Sequence, residues 1–403
     1  MENGELSVEN GRSAWREVRL GDCINTNIQS IGKDYPFDEI LYLDTGSITE
    51  NRIEKLQRFN IKEAPSRAKR LVENDDIIYS SVRPNQLHYG FIKDPEGNLV
   101  VSTGFVVIRC NREDIQPKYL FYYLSSGSST EYLHSIAEAS TSAYPSLKPS
   151  DIEALDIELP PLPEQKAIAE VLSALDDKID LLHRQNKTLE QMAETLFRQW
   201  FVVEAGEDWE EGGVSDLIDF NPKRILAKGA VATYLEMASL NTQTFHPDSW
   251  YDREFKSGTK FINEDTLLAR ITPCLENGKT AYVTFLQDNQ VAWGSTEYIV
   301  MRPKQGIHPF FAYVLARNSD FREYAEGCLA GSSGRQRIDL EYLKNFDIPI
   351  PSKKIIEDFN SNLAGIVPKL MMNAKQIRTL QSLRDTLLPK LMSGGIRVKY
   401  DDK

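Results

Sequence analysis

At 403 residues the chain exceeds what one hydrophobic core usually supports, so two or more domains are expected. The apolar share of 41% suits a water-soluble globular protein; no window approaches eighteen consecutive apolar residues, and the opening MENGELSVENGRS lacks a basic-then-apolar leader, so a cytoplasmic location is expected. A net charge of −12 argues against gripping a polyanion with the whole surface, which confines any nucleic-acid role to local patches or basic partners.

In chain order, SAWREVRLGDCI and LYLDTGSIT open a series of short segments that alternate or run apolar and read as strands. Between Arg52 and Arg70 lie seven Lys or Arg, at 52, 55, 58, 62, 67, 69 and 70, against Glu54 and Glu63, a local +5. Such a run is most often a solvated face. Strands are predicted over 77–82 and 105–108, followed by a helix in PKYLFYYLSS, a polar loop EASTSAYPSLKPSD, and a last strand entering the proline-rich junction IELPPLPEQ. The cysteines, Cys23, Cys110, Cys274 and Cys328, show no CxxC or CxxH spacing, so reduced, mostly buried thiols are expected. The five histidines are equally scattered, and no metal site is expected.

From Glu164 to about Phe201 a long helix is predicted. Ile168, Leu172, Leu175, Ile179, Leu182, Asn186, Leu189, Ala193, Leu196 and Trp200 step by four and three without a break, the seam of a coiled coil.

The second half then repeats the first. EDWEEGGVSDLI answers SAWREVRLGDCI, EDTLLARITP answers DDIIYSSVRP, and GSTEYIVMRP answers VSTGFVVIRC, at offsets between 189 and 194. A helix in PFFAYVLARN, a loop LAGSSGRQRIDLEY and the junction FDIPIPSKK follow. A period this long is a domain duplication and not a solenoid. Each half is an α+β globule followed by a long helix, with boundaries expected at 1–158, 159–203, 204–350 and 351–403. The second helix carries its own seam: Phe359, Leu363, Ile366, Leu370, Asn373, Ile377, Leu380, Arg384, Leu387 and Leu391.

Polar seam residues are least costly when they face each other. Setting Asn186 opposite Asn373 in an antiparallel pair makes facing numbers sum to 559, so Trp200 meets Phe359, Ala193 meets Ile366, Leu172 meets Leu387 and Ile168 meets Leu391. One mismatch remains, Leu175 with Arg384, whose side chain is expected to snorkel. Thirty-eight helical residues at 1.5 Å each make a rod of about 57 Å, with the globules expected at opposite ends and related by an approximate twofold, a spacing on the scale of successive major grooves.

The order globule, LPPLPEQKAIAEVLSALDDKID, globule, IPIPS helix, together with LFRQWF and the closing LRDTLLPKLMSGGIRV, resembles the DNA-specificity subunit of type I restriction-modification enzymes. The resemblance covers essentially the whole chain past the first dozen residues. It implies two target recognition domains, each reading one half of a bipartite asymmetric DNA target, held apart by an antiparallel two-helix spacer. It also implies docking of two DNA adenine methyltransferase subunits, which use S-adenosylmethionine, and then of restriction and translocase subunits that need ATP and magnesium. No cofactor is expected on this chain itself. One departure is that the second junction, SKKIIED, lacks the PEQ of the first.

Base readout needs paired donors or acceptors: Arg for guanine, Asn or Gln for adenine, Ser or Thr more loosely. SSVRPNQ offers Arg83, Asn85 and Gln86 just after a predicted strand, and EASTSAY adds Thr141, Ser142 and Tyr144. In the second half ARITP offers Arg270 and Thr272, and GSSGRQR offers Ser333, Arg335, Gln336 and Arg337. GSSGRQR is the foremost candidate, because its glycines permit close backbone approach. For each residue the plainer reading is a turn or a structural hydrogen bond.

Two rival readings stand beside this one. An enzyme is disfavoured: the chain has no GxxxxGK[ST] or GxGxxG, and Asp248 with Glu254-x-Lys256 places two carboxylates too close in sequence for the strands of a nuclease metal site. A non-DNA protein scaffold, or a specificity subunit serving a fused enzyme outside type I, fits the duplication and rod equally well.

Overall fold

The computed structural model describes residues 6–7, 15–140, 145–206, 209–332 and 334–399. They form two units, one of Met1–Lys178 with Leu380–Lys403, the other of Ile179–Thr379.

In the first unit, one four-stranded antiparallel sheet runs in the order Tyr89–Phe91, Ile77–Ser80, Phe105–Cys110, Ile24–Thr26. A second sheet runs Gln57–Asn60, Glu39–Leu43, Leu99–Ser102, Ala68–Leu71, with its two inner strands parallel. Ile77–Ser80 and Leu99–Ser102 are buried throughout, which is why they read as continuous apolar runs and not as alternation. The helices Pro117–Ser125 and Gly127–Glu138 cover the first sheet and share its core with Tyr79, Ile108, Leu120 and Leu133.

The second unit repeats this strand order. Its sheets run Thr280–Tyr282, Thr266–Ala269, Tyr298–Pro303, Ile218–Phe220 and Tyr251–Glu254, Val231–Leu235, Ala292–Gly294, Thr259–Phe261. The repetition extends to single bonds. Asn27 and Asn221, both at positive φ, each exchange two hydrogen bonds with a backbone residue of the neighbouring strand, Val107 and Val300. Asp76 takes a fork from Arg109, and Asp265 takes bonds from Arg302 and Arg224. Both carboxylates are buried, so their arginines neutralise charge that burial would otherwise make prohibitive.

The unit boundary falls inside both long helices, Leu162–Arg198 and Lys353–Met392, so each unit holds one stretch of each. Within the second unit, Asn373 Nδ2 donates to Asn186 Oδ1 at 2.9 Å, and the rings of Trp200 and Phe359 lie 5.9 Å apart. Within the first, Ile168 and Leu172 share a core with Leu387 and Leu391. Numbers rise on one helix as they fall on the other, so the pairing within each unit is antiparallel.

Three local features differ from the sequence expectation. Arg384 ends on two carboxylates as well as at the solvent edge: its guanidinium binds Asp176 at 3.0 Å and the exposed Asp385 at 2.9 Å. The central helix stops at Arg198, and a π-turn over Gln199–Val203 re-aims Phe201 into an aromatic cluster with Phe197, Phe311 and Phe359. Before the second junction a continuous strand gives way to bridges of Glu210 with Ile350 and Gly213 with Asp347, with Ile348 N and Ile350 N donating to Gly212 O and Glu210 O at 2.9 Å each.

The PEQ of the first junction is internal. Glu164 is fully buried and receives Arg397 through Nε at 2.9 Å and Nη2 at 2.6 Å, while Trp15 Nε1 donates at 3.3 Å. Gln165 accepts from the Gln116 amide and donates to Pro160 O, both at 2.9 Å. The acid thus anchors the C-terminal strand Arg397–Val398, a contact that the second junction does not have to make. Of the cysteines only Cys23 is buried; Cys110, Cys274 and Cys328 are half-buried, and all four are free thiols. No helix among the described residues is long and apolar enough to cross a membrane.

Candidate nucleic-acid interface

Each unit brings two of the sequence-predicted segments together at the end of one strand. In the first unit, the strand Ile77–Ser80 leads into a 3-10 turn, Pro84–Gln86, flanked by Arg83 and Leu87 in the left-handed region at φ 49 and 59. Arg83 N donates to Pro145 O at 3.1 Å, Leu147 N to Ser81 O at 2.7 Å, and Val82 bridges Ser146. The turn is thereby tied to the end of the EASTSAY segment, and Arg83, Asn85 and Gln86 are exposed on it. Thr141, Ser142 and Tyr144 themselves lie outside the described residues.

In the second unit the strand Thr266–Ala269 leads to Arg270 and Thr272 in the same way. Ile338 N donates to Arg270 O at 2.8 Å, and Thr272 N to Gln336 O at 3.1 Å, closing this segment onto GSSGRQR. The Thr272 hydroxyl accepts the Gln336 amide at 3.1 Å in a buried position, so it braces the loop from inside. Arg270 is half-buried with Nη2 donating to Ile338 O at 3.3 Å, again a bracing contact. Arg335 is exposed, and its guanidinium has no partner among the described residues. Arg337 is held as a fork by Glu297, with Nη2 2.8 Å from Oε1. Ser333 is outside the described residues.

Glu297 escaped sequence reasoning because nothing in GSTEYIV distinguishes a carboxylate aimed at a loop forty residues later from a solvated one. The Arg337 guanidinium beside it holds its carboxyl below the usual range, so it stays ionised. Its backbone is fixed as well: Glu297 N donates to Ser295 Oγ at 3.1 Å, and Arg270 N donates to Glu297 O at 3.0 Å.

The basic segment occupies the hairpin and strands Arg52–Ile53, Gln57–Asn60 and Ala68–Leu71 of the first unit. Arg52, Lys55, Arg58, Lys62, Arg67 and Lys69 are exposed, and none has a carboxylate within 4.0 Å among the described residues. Burial lowers the Arg70 guanidinium from its usual range, and its Nε has no partner among the described residues. The corresponding stretch of the second unit is mixed instead: Arg253 lies over the Tyr234 and Trp293 rings, beside Asp252 and Glu254. Asp248 accepts from Asn241 Nδ2 at 2.9 Å, while Glu254 is exposed on its strand, and no cluster of three or more His, Cys, Asp or Glu able to hold a metal occurs among the described residues.

The chain is thus a tandem of two α+β units that share one strand order, each with the segment after an inner strand closed onto a later polar loop. The model of the type I restriction modification DNA specificity domain matches residues 13–191 and 206–362, and the chain belongs to that family. Membership makes it a DNA-specificity component and not a catalytic one. It is 26% identical to the type I restriction enzyme HindI specificity subunit of Haemophilus influenzae, across 95% of this chain and 100% of that one. It is also 26% identical to the MjaIX specificity subunit of Methanocaldococcus jannaschii, across 91% of this chain and 86% of that one. The crystal structure of the type I restriction-modification S subunit from M. genitalium shares the fold over 100% of both chains, with a TM-score of 0.56 at 15% identity.

Proposed function

We propose that each unit reads one half of a bipartite, asymmetric DNA target, and that the paired helices set the gap between the halves. The single observation carrying this reading is that in both units the segment after the same strand closes onto a later polar loop, through Arg83 N to Pro145 O and Thr272 N to Gln336 O, with exposed Arg83, Asn85 and Gln86 in one unit and exposed Arg335 and Arg337 in the other. A protein that gripped one continuous site would have no need for two such segments. On this reading residues 1–158 and 204–350 are the two target recognition domains, and 159–203 and 351–403 form the spacer. The base-reading set is Arg83, Asn85, Gln86, Thr141, Ser142 and Tyr144 in the first domain, and Arg335, Gln336, Arg337 and Ser333 in the second. Arg270 and Thr272 support the second turn from beneath.

The partners on this reading are double-stranded DNA, two DNA adenine methyltransferase subunits, and restriction and translocase subunits. S-adenosylmethionine, ATP and magnesium serve those subunits. The acidic overall charge fits a division of labour in which partner subunits supply many phosphate contacts and this chain keeps base contacts and one basic strip.

The test is a map of N6-methyladenine in a genome without other adenine methylation, with this chain co-expressed with its neighbouring methyltransferase subunit and compared with the methyltransferase alone. A two-part motif with a fixed gap, appearing only with this chain, is expected. A one-part motif would overturn the bipartite reading, and no motif from a complex that demonstrably assembles would overturn the specificity role itself.

A further inference from the structure

Glu297 grips only one edge of the Arg337 guanidinium. Nε lies 3.0 Å from both carboxylate oxygens, and Nη2 lies 2.8 Å from Oε1, so the side edge formed by Nε and Nη2 is occupied. The end-on edge, made of the outward N–H groups of Nη1 and Nη2, has no partner among the described residues, and the Arg337 side chain is 46% exposed. Two parallel donors on a planar, permanently charged group match the O6 and N7 acceptors of guanine in the major groove.

The backbone beneath is paired on both sides. Arg337 lies in the strand Arg337–Ile338, pairs with Ala330, bridges Ile271, and is followed by the fully buried Ile338. Arg335 contrasts with it: it follows Gly334 at φ 82, and its side chain is unheld among the described residues. A reader fixed on a strand by a carboxylate loses less side-chain entropy on binding than a free arginine on a glycine turn. The ionised Glu297 also decides the occupant: a phosphate at the free edge would be repelled by a carboxylate on the far side of the same guanidinium, whereas a neutral base edge would not.

We propose that Arg337 is the guanine-reading residue of the second unit and that Glu297 is its positioning residue, holding the guanidinium so that its end-on edge meets the base. This rests on the reading that the unit recognises one half-site. The device belongs to one unit: the carbonyl of Gly104 accepts from Ser81 N as that of Glu297 accepts from Arg270 N, and a glycine has no side chain to hold an arginine.

The test uses the assembled complex and duplexes carrying its mapped target, with 7-deazaguanine, which lacks the N7 acceptor, replacing each guanine of both strands in turn. Wild type is expected to lose about tenfold affinity at one guanine of one half-site. Arg337→Ala should be insensitive at that guanine alone. Glu297→Gln should relax the same position in the methylation map and leave the other half-site unchanged, and Arg337→Lys should not restore discrimination. The proposal is overturned if no guanine shows the effect in wild type, if Arg337→Ala keeps the sensitivity, or if Arg337→Ala weakens all sequences equally, as a phosphate or purely structural contact would. A wild-type map with no bipartite motif would instead overturn the half-site reading.

Discussion

The buried carboxylates decide stability at the residue scale. Asp265 is fully buried, and burial pushes its carboxyl up from the usual range even with Arg302 and Arg224 beside it. Removing it strands two cations, so Asp265→Ala should destabilise the second unit by about 3–5 kcal/mol in urea unfolding, and Asp76→Ala should do the same to the first. Glu190, on the central helix, accepts from the Tyr313 hydroxyl at 2.6 Å and the Phe245 amide at 3.4 Å, yet burial pushes it up to about 7. Its folded pKa thus lies above its unfolded one, near 4.5. The native state binds the extra proton, so this contribution to stability is complete below about pH 4.5 and is lost as pH rises through about 7. Glu190→Gln should flatten that slope, recovering up to about 3 kcal/mol at pH 8 before any loss from its two donors. Parallel pH-dependent unfolding curves for the two proteins would count against the assignment.

Elements add a second kind of control. In the helix pair of the second unit, Asn186 and Asn373 are both buried; the Asn373 amide donates to Asn186 at 2.9 Å and to Gln185 at 3.4 Å, and its Oδ1 has no partner among the described residues. Asn186→Leu alone should cost about 1–3 kcal/mol by leaving the buried Asn373 amide only the longer bond to Gln185 Oε1 at 3.4 Å, while Asn186→Leu with Asn373→Leu should restore stability and weaken register, which thermal unfolding and inter-helix cysteine cross-linking would separate. On the proposed reading the basic strip acts through charge alone. Arg52→Ala, Lys55→Ala and Arg58→Ala together should then weaken binding equally for all sequences. The slope of log affinity against log salt should become shallower by about 0.9 for each phosphate no longer neutralised. A change in target preference would show that these side chains reach bases.

At the scale of the whole molecule, the proposed half-site reading makes the two recognition tasks separable. Asn85 and Arg335 belong to different units, so Asn85→Ala and Arg335→Ala are expected to relax different half-sites, and their effects on binding should add to within about 0.5 kcal/mol. Non-additivity in a binding cycle would mean that one unit's contacts depend on the other's. On the proposed reading, salt dependence should reside mainly in the first unit, since its basic strip has no counterpart of one sign in the second.

Much of the architecture was legible in the amino-acid order. The offset near 190 exposed the duplication, because two copies of one strand plan must keep the same apolar runs and turns, and the four-three steps marked the long helices, because a packed helical seam admits no other spacing. Composition and motif spacing also marked which turns carry Arg, Asn and Gln. Only the tertiary structure decided which of those side chains are free. Thr272 is turned inward, and Arg337 is held by Glu297 on one edge and left open on the other, contacts that join residues 64 and 40 positions apart. The same holds for Glu164, which reads as part of a junction motif but closes on Arg397, 233 residues away. Periodicity reports the face on which a residue lies; the partner of a polar side chain depends on chain crossings that no local pattern records.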